Sequence, residues 1–228
     1  MDGKPKSKSK MQADDLEPPS YKDCTFLGTP TLTIDIKDTK IYTPHTNHKR
    51  IHYRTSSNLN RDFVKGGFGL FRVNPFKPSE GVEVYDVRAV GDASFRITGV
   101  ERGMCKVVAC QRKFGFSGHS WEVQQLAMPS VSKRMGGSRR ATKLIAEKAS
   151  KEDGALRWCD ASGRLIATDT KLVRRRGNHE NQFRMPVLTI VVEVEQEMLD
   201  LLVASWLARV WFEVVNAKKR TLMDGAYR

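Results

Sequence analysis

Apolar and polar positions follow one period over most of the chain and a different one near its end. From Thr31, the apolar residues Leu32, Ile34 and Ile36 alternate with Thr33 and Asp35, the two-residue period of a half-buried strand. Similar runs recur at Ile51–Thr55, Gly69–Val73, Val82–Arg88, Ser94–Val100, Lys106–Arg112 and Trp121–Leu126, separated by Gly, Pro, Asn and Asp. In VEVYDVRAVGDASFRITGV, strict alternation sets Val82, Val84 and Asp86 against Glu83, Tyr85 and Val87, with Gly91-Asp92 as the turn. Two further strands flank Asp160-Ala161-Ser162-Gly163, and a last one runs over Val187–Glu193 after Met185-Pro186. Close spacing of this kind predicts an antiparallel meander.

The period then changes. The segment from about 194 to 218 lacks Pro and Gly, is led by Glu193, Glu195 and Glu197, and closes on Lys218 and Lys219, an arrangement that suits a helix dipole. Its apolar residues, from Met198 through Trp206 and Trp211 to Val215, cover nearly every helical direction, so the helix must be covered on most sides. Lipid or the preceding strands could supply that cover. Asp200, Arg209 and Glu213 interrupt the run, and Asp or Arg near a bilayer centre costs about 2.5–3.5 kcal/mol each, so the strands are the expected shell. Arg209 and Glu213 stand one turn apart and can pair. The predicted fold is mainly β: an antiparallel closed barrel wrapped around a hydrophobic C-terminal helix.

The flanks and connections differ in composition. Residues 1–28 mix Lys, Ser, Asp, Glu and Pro with few apolar groups and are expected to form a disordered tail. The domain spans 29–219, and residues 220–228 form a second tail. Residues 129–154 contain Gly136-Gly137 and many bases, with no apolar stripe beyond Leu144 and Ile145, and are expected to be an inserted loop. Residues 171–184, with Arg174-Arg175-Arg176, form a second basic connection.

The formal net charge of +13 sits almost wholly in these segments: residues 1–11 carry +3, 128–153 carry +4, 171–184 carry +4 and 218–228 carry +3. The expected strands and helix are close to neutral, so the positive charge decorates parts that folding does not require. The N-terminal lysines are followed by no apolar run, and position 2 is not glycine, so neither a secretory signal nor N-myristoylation is expected. An intracellular, by default cytoplasmic, protein is expected.

Catalytic and metal-binding patterns are weak. Gly66-Gly67-Phe68-Gly69 precedes a strand rather than a helix, so a turn or bulge is expected in place of a phosphate loop. His45, His48 and His52 fall close together without a completing Cys or acid set, and Cys24, Cys105, Cys110 and Cys159 lack zinc spacing. No catalytic residue, cofactor or metal is expected.

Several stretches carry a family resemblance. VEVYDVRA and SFRITGVERG look like early strands, HSWEVQQ like a mid-barrel Trp strand, and WCDASGRLIATDTKL like an aspartate-glycine hairpin; PVLTIVVEVEQEMLDLLVASWLARVW looks like a closing strand, acidic turn and central helix. Together, over about residues 30–217, they resemble the tubby C-terminal-like superfamily, which includes phospholipid scramblases and LURP-one-related proteins, and within it the fungal tubby-like group of unknown function. The resemblance implies a barrel around a central helix; it gives no position-by-position phosphoinositide site, and it leaves the long basic segment and the arginine triplet without counterpart.

The candidate binding residues are therefore Lys133, Arg134, Arg139, Arg140 and Lys143, with Arg174, Arg175 and Arg176, whose charges suit phosphate groups of anionic phospholipid or phosphoinositide at a membrane surface. They could act together if both segments leave the same end of the barrel. Specific nucleic-acid recognition is not expected, because neither 129–154 nor 171–182 contains an aromatic residue to stack on bases, and Phe183 is expected to belong to the edge of the next core strand. Non-specific nucleic-acid attraction and a protein-interaction scaffold without a lipid ligand are the alternatives.

Overall fold

A computed structural model describes residues 30–34, 38–44, 50–59, 66–74, 76–77, 79–100, 107–115, 118–126, 141–149, 155–170, 173–175, 182–184 and 186–226. The expected tails at 1–28 and the larger part of 129–154 lie outside them. Among the described residues there are fourteen strands and one helix: β1 (Thr31–Ile34), β2 (Lys40–Tyr42), β3 (Ile51–Thr55), β4 (Gly67–Val73), β5 (Gly81–Gly91), β6 (Ser94–Gly99) and β7 (Val107–Gly115), then β8 (Gly118–Gln125), β9 (Ala141–Lys148), β10 (Leu156–Asp160), β11 (Leu165–Asp169), β12 (Val173–Arg175), β13 (Gln182–Arg184) and β14 (Val187–Ile190), and α1 (Gln196–Ala226).

Twelve of the strands close into one antiparallel barrel. Each neighbour follows its predecessor from β1 to β11, and β14 then fills the gap between β11 and β1, while β12 and β13 pair only with each other. Closure leaves the twelve barrel strands without a free edge. The inward face is continuous: Ile34, Ile41, Leu70, Val87, Phe95, Ile97, Val123, Leu144, Trp158, Ile166 and Leu188 are almost fully buried. The helix supplies the other half of this core, with Leu202, Val203, Trp206, Leu207, Val210, Trp211, Val214 and Val215 buried around its whole circumference. Phe68 and Phe95 pack on Trp211 at ring separations of 5.7 and 5.8 Å, and Trp121 meets Phe212 edge-on at 5.3 Å. At about 1.5–3 kcal/mol for each large apolar side chain buried, this shared core is the main stabilising term of the fold.

Four expectations are corrected. Residues 129–154 are not all loop, because 141–148 form barrel strand β9. Its inward residues are Leu144 and Ala146, and Ala146 stands in register between Trp121 of β8 and Trp158 of β10. Two indoles at one level leave room for a small neighbour only, so the strand carries little of the apolar signal that marks the others. The basic connection 171–184 holds the two-stranded β12–β13 sheet, and Phe183 lies there opposite Arg174 rather than in a barrel strand. The helix continues past 218 to Ala226, since lysine and arginine sustain helix and no glycine or proline intervenes before Gly225. Alternation in β5 is broken: Tyr85 pairs with Leu70 and Glu83 with Phe71, so Val84 is the extra residue of a bulge, and Val84 and Tyr85 are both buried.

Of the glycine-rich stretch, Gly67 and Gly69 are strand residues of β4 whose added Cβ would meet β5, while Gly66 has open space around it. Gly67 opens β4, where a Cβ would collide with the Val87 carbonyl of β5. The Asp160 hairpin forms as expected, with Gly163 at φ +85° and Asp160 Oδ1 accepting hydrogen bonds from the Ser162 and Arg164 amides at 2.9 and 3.0 Å.

Ala146→Leu is expected to overpack the space between the two tryptophans and cost about 1–3 kcal/mol in chemical denaturation, whereas Glu147→Leu, on the exposed neighbouring position, should stay within about 0.5 kcal/mol.

Candidate functional site

The polar groups of the helix face the barrel wall at two levels. Near the N-terminus of α1, Asp200 accepts a 2.8 Å hydrogen bond from Tyr53 Oη of β3 and forms an ion pair with the Arg72 guanidinium of β4. Gln196 Nε2 closes the group by donating to Asp200 Oδ1 at 2.8 Å and to Tyr53 Oη at 3.1 Å. Burial, and after it the Asp200 carboxylate, pushes the Tyr53 phenol well above its ordinary pKa, so it stays a donor.

Nine residues further along, about 13 Å up the helix axis, Arg209 repeats the arrangement. Its Nε lies 2.9 Å from Asp169 Oδ2 of β11, Nη1 lies 2.7 Å from Glu213 Oε1, and Nη2 reaches the Thr170 carbonyl at 3.3 Å. Asp169 also accepts from Trp158 Nε1 at 3.0 Å and from the Leu156 amide at 3.3 Å. Burial raises the Asp169 pKa to about 6 in spite of Arg209; burial works against the Arg209 charge as well, yet Asp169 and Glu213 raise its pKa on balance. These are the charges that interrupt the apolar run in the sequence, and all three are met by protein groups. The expected Arg209–Glu213 pair is present, and among the described residues no helix is long and apolar enough to cross a membrane.

The two levels also fix the direction of the helix. Arg72 is next to the C-terminal end of β4 and Asp169 is the last residue of β11, and the antiparallel register places these at opposite mouths of the barrel. The helix thus enters at a proximal mouth and leaves at a distal one. Following the register around the wall, the connections β2–β3, β4–β5, β6–β7, β8–β9 and β10–β11 lie at the proximal mouth. Those of β3–β4, β5–β6, β7–β8 and β9–β10, and the β12–β13 sheet between β11 and β14, lie at the distal one.

This separates the basic residues. The segment with Lys133, Arg134, Arg139 and Arg140 lies outside the described residues, but it leaves the wall at Gln125 and returns at Ala141, paired residues at the proximal mouth. Arg174 and Arg175 lie in β12, and Arg176 lies just outside the described residues; their connection spans Asp169 to Val187 at the distal mouth. Lys143 is the extra residue of a bulge in β9, between Leu144, which pairs with Val123, and Thr142, which pairs with Gln124, and it is half-buried. Across the length of β9 the two mouths are about 23 Å apart, so the two basic segments are anchored at opposite ends of the barrel. The distal set shares its mouth instead with Lys218 and Lys219 at the emerging helix.

His45, His48, Cys24 and Cys105 lie outside the described residues. His52 is buried, its Nε2 is 2.7 Å from Thr43 Oγ1, and burial, assisted by the Arg50 charge, lowers its pKa to about 4. Cys110 is buried in the core, which pushes its thiol up to about 12, the opposite of a reactive cysteine. Among the described residues no group of His, Cys, Asp and Glu could hold a metal ion. One exposed feature escaped the sequence reading, the side chain of Phe76 at the tip of the β4–β5 turn; the Pro75-Phe76-Lys77-Pro78 spelling was its only signal. Compared with known protein families, curated proteins and solved structures, the chain matches none.

Two outcomes follow from the buried charges. Arg209→Met leaves Asp169 buried without its cation and is expected to cost about 3–5 kcal/mol, while adding Asp169→Asn in the same chain should recover much of that loss in a denaturant titration. His52 has a folded pKa below its unfolded value, so between pH 4 and 6.5 the unfolded state binds more protons and stability rises with pH. His52→Gln should remove about 2–3 kcal/mol of the stability difference between pH 7 and pH 4; an unchanged pH profile would contradict the assignment.

Proposed function

We propose that this chain is a non-enzymatic, tubby-like domain that binds anionic phospholipid or phosphoinositide peripherally, at a membrane surface inside the cell. The observation that carries the reading is where unbalanced positive charge sits. On the barrel wall and its tight turns, several basic side chains have an acidic partner close by: Arg88 pairs with Asp86 at 2.9 Å, Arg164 with Asp160 at 3.3 Å, and Lys113 with Glu122. The segments at 126–140 and 171–184 are different, with four basic residues and no acid in the first and five basic residues against one acid in the second. Bases of this kind attract an anionic leaflet by about 1 kcal/mol each near the surface. The barrel interior is filled by α1, so binding falls to the two mouths. A barrel closed around a C-terminal helix is also what the tubby-like resemblance implies, which supports the domain assignment on fold grounds.

The reading is tested by co-sedimentation with neutral, phosphatidylserine and phosphoinositide vesicles across a salt series, with RNA as competitor. Binding to anionic but not neutral vesicles that resists RNA is expected. Charge reversal at Lys133, Arg134, Arg139 and Arg140 should weaken it by about a hundredfold or more. Absence of binding to every anionic vesicle, or complete displacement by RNA, would overturn the lipid reading.

A further inference from the structure

We propose that the β4–β5 turn carrying Phe76 is a membrane anchor, seating one side of the proximal mouth on an anionic phospholipid surface with the Phe76 ring inserted among the lipids. This rests on the lipid-binding reading above and specifies which mouth and which side chain carry it.

Phe76 is 84 % exposed, the most exposed large apolar side chain among the described residues. It is held out by a built turn rather than left on a loose one. Asn74 Oδ1 accepts the Phe76 amide at 2.9 Å, the Asn74 carbonyl accepts the Lys77 amide at 3.2 Å, and the Glu80 amide donates to the Lys77 carbonyl at 2.9 Å. The Asn74 amide closes the loop onto the Glu80 carbonyl at 3.1 Å, and Lys77 pairs with Glu80 at 3.3 Å. A tip ordered in advance loses little conformational freedom when it binds.

Its surroundings are polarised. Of the four exposed large apolar residues among those described, Val100 and Val191 share the proximal mouth with Phe76, and only Val90 lies at the other. Around that mouth the β4–β5 turn sits between the β2–β3 connection on one side and the β6–β7 and β8–β9 connections on the other. The β4–β5 turn and the two connections nearest to it, 43–50, 74–80 and 100–106, contain five basic residues and two acidic ones. Across the mouth, the approach to α1 exposes Glu193, Glu195 and Glu197 beside Val191. An anionic surface is therefore drawn to the Phe76 side and repelled from the Val191 side, which tilts the barrel so that the β4–β5 turn leads. One aromatic ring and a neighbouring valine fall short of the several hundred square ångströms that a stable protein interface buries on each partner. Modest apolar insertion combined with basic attraction is what an interfacial membrane site requires.

The full chain is sedimented with phosphatidylcholine vesicles, with and without phosphatidylserine, as wild type, Phe76→Ser and Phe76→Trp. The serine variant should bind phosphatidylserine vesicles at least about tenfold more weakly at every salt concentration, the tryptophan variant within about threefold of wild type, and both should unfold at the wild-type denaturant midpoint. If wild type binds and the serine variant binds equally well, insertion is overturned while the lipid reading stands. If wild type binds no anionic vesicle, both are overturned. An equal loss of RNA binding in the serine variant would also overturn insertion, because a polyanion offers no apolar phase to enter.

Discussion

The ion pair between Arg209 and Asp169, buried where the helix passes the end of β11, is the constraint on which the rest of the arrangement depends. An apolar helix inside an apolar barrel gains nearly as much from any rotation or depth, because hydrophobic burial has no direction. Charged partners remove that freedom. Arg209 can meet Asp169 and Thr170 of the barrel only at one depth, and Asp200 must at the same time meet Tyr53 and Arg72 at the other mouth. A slide of one turn along the axis would leave the buried carboxylates of Asp169 and Asp200 without their cations, at a cost of several kcal/mol for each broken pair. Hydrophobic burial thus holds the helix inside, and the two polar levels decide where it stops.

This plugged geometry determines where function can reside. A barrel of this strand number would otherwise enclose space for a ligand, but Trp206, Trp211, Phe212 and the aliphatic residues around them fill it. What the fold leaves for recognition is the outer wall, where Arg88, Lys113 and Arg164 are paired with acids, and the connections at the mouths. The mouths are unlike one another. The proximal one combines exposed apolar side chains with a basic arc and an acidic sector; the distal one combines the β12–β13 sheet with the emerging basic helix end.

Much of this was legible in the sequence, and the failures have physical causes. The alternating runs and the helix apolar on all sides required a barrel with an interior helix, and both are present. Strand β2 was missed because three residues, Lys40–Tyr42, are too short to display a period. Strand β9 was missed because its inward positions include Ala146, whose small size is set by the tryptophans on neighbouring strands, information that local sequence does not hold. The bulge at Val84 was hidden for a similar reason, since it is defined by the register of β4 against β5. Of the basic residues, composition identified the segments, but only the strand order could place them at opposite mouths. Phe76 was missed because its exposure is set by the hydrogen bonds of its turn, which the residue types do not display.

Hydrogen exchange of the full chain, with and without phosphatidylserine vesicles, tests the central claim that α1 is a fixed interior element and that only the mouths meet a partner. The amides of Leu199–Val215 should exchange only through global unfolding in both conditions, while residues 74–80 gain protection when vesicles are added. Loss of protection in the helix on vesicle binding, as would occur if it left the barrel for the bilayer, would contradict the account.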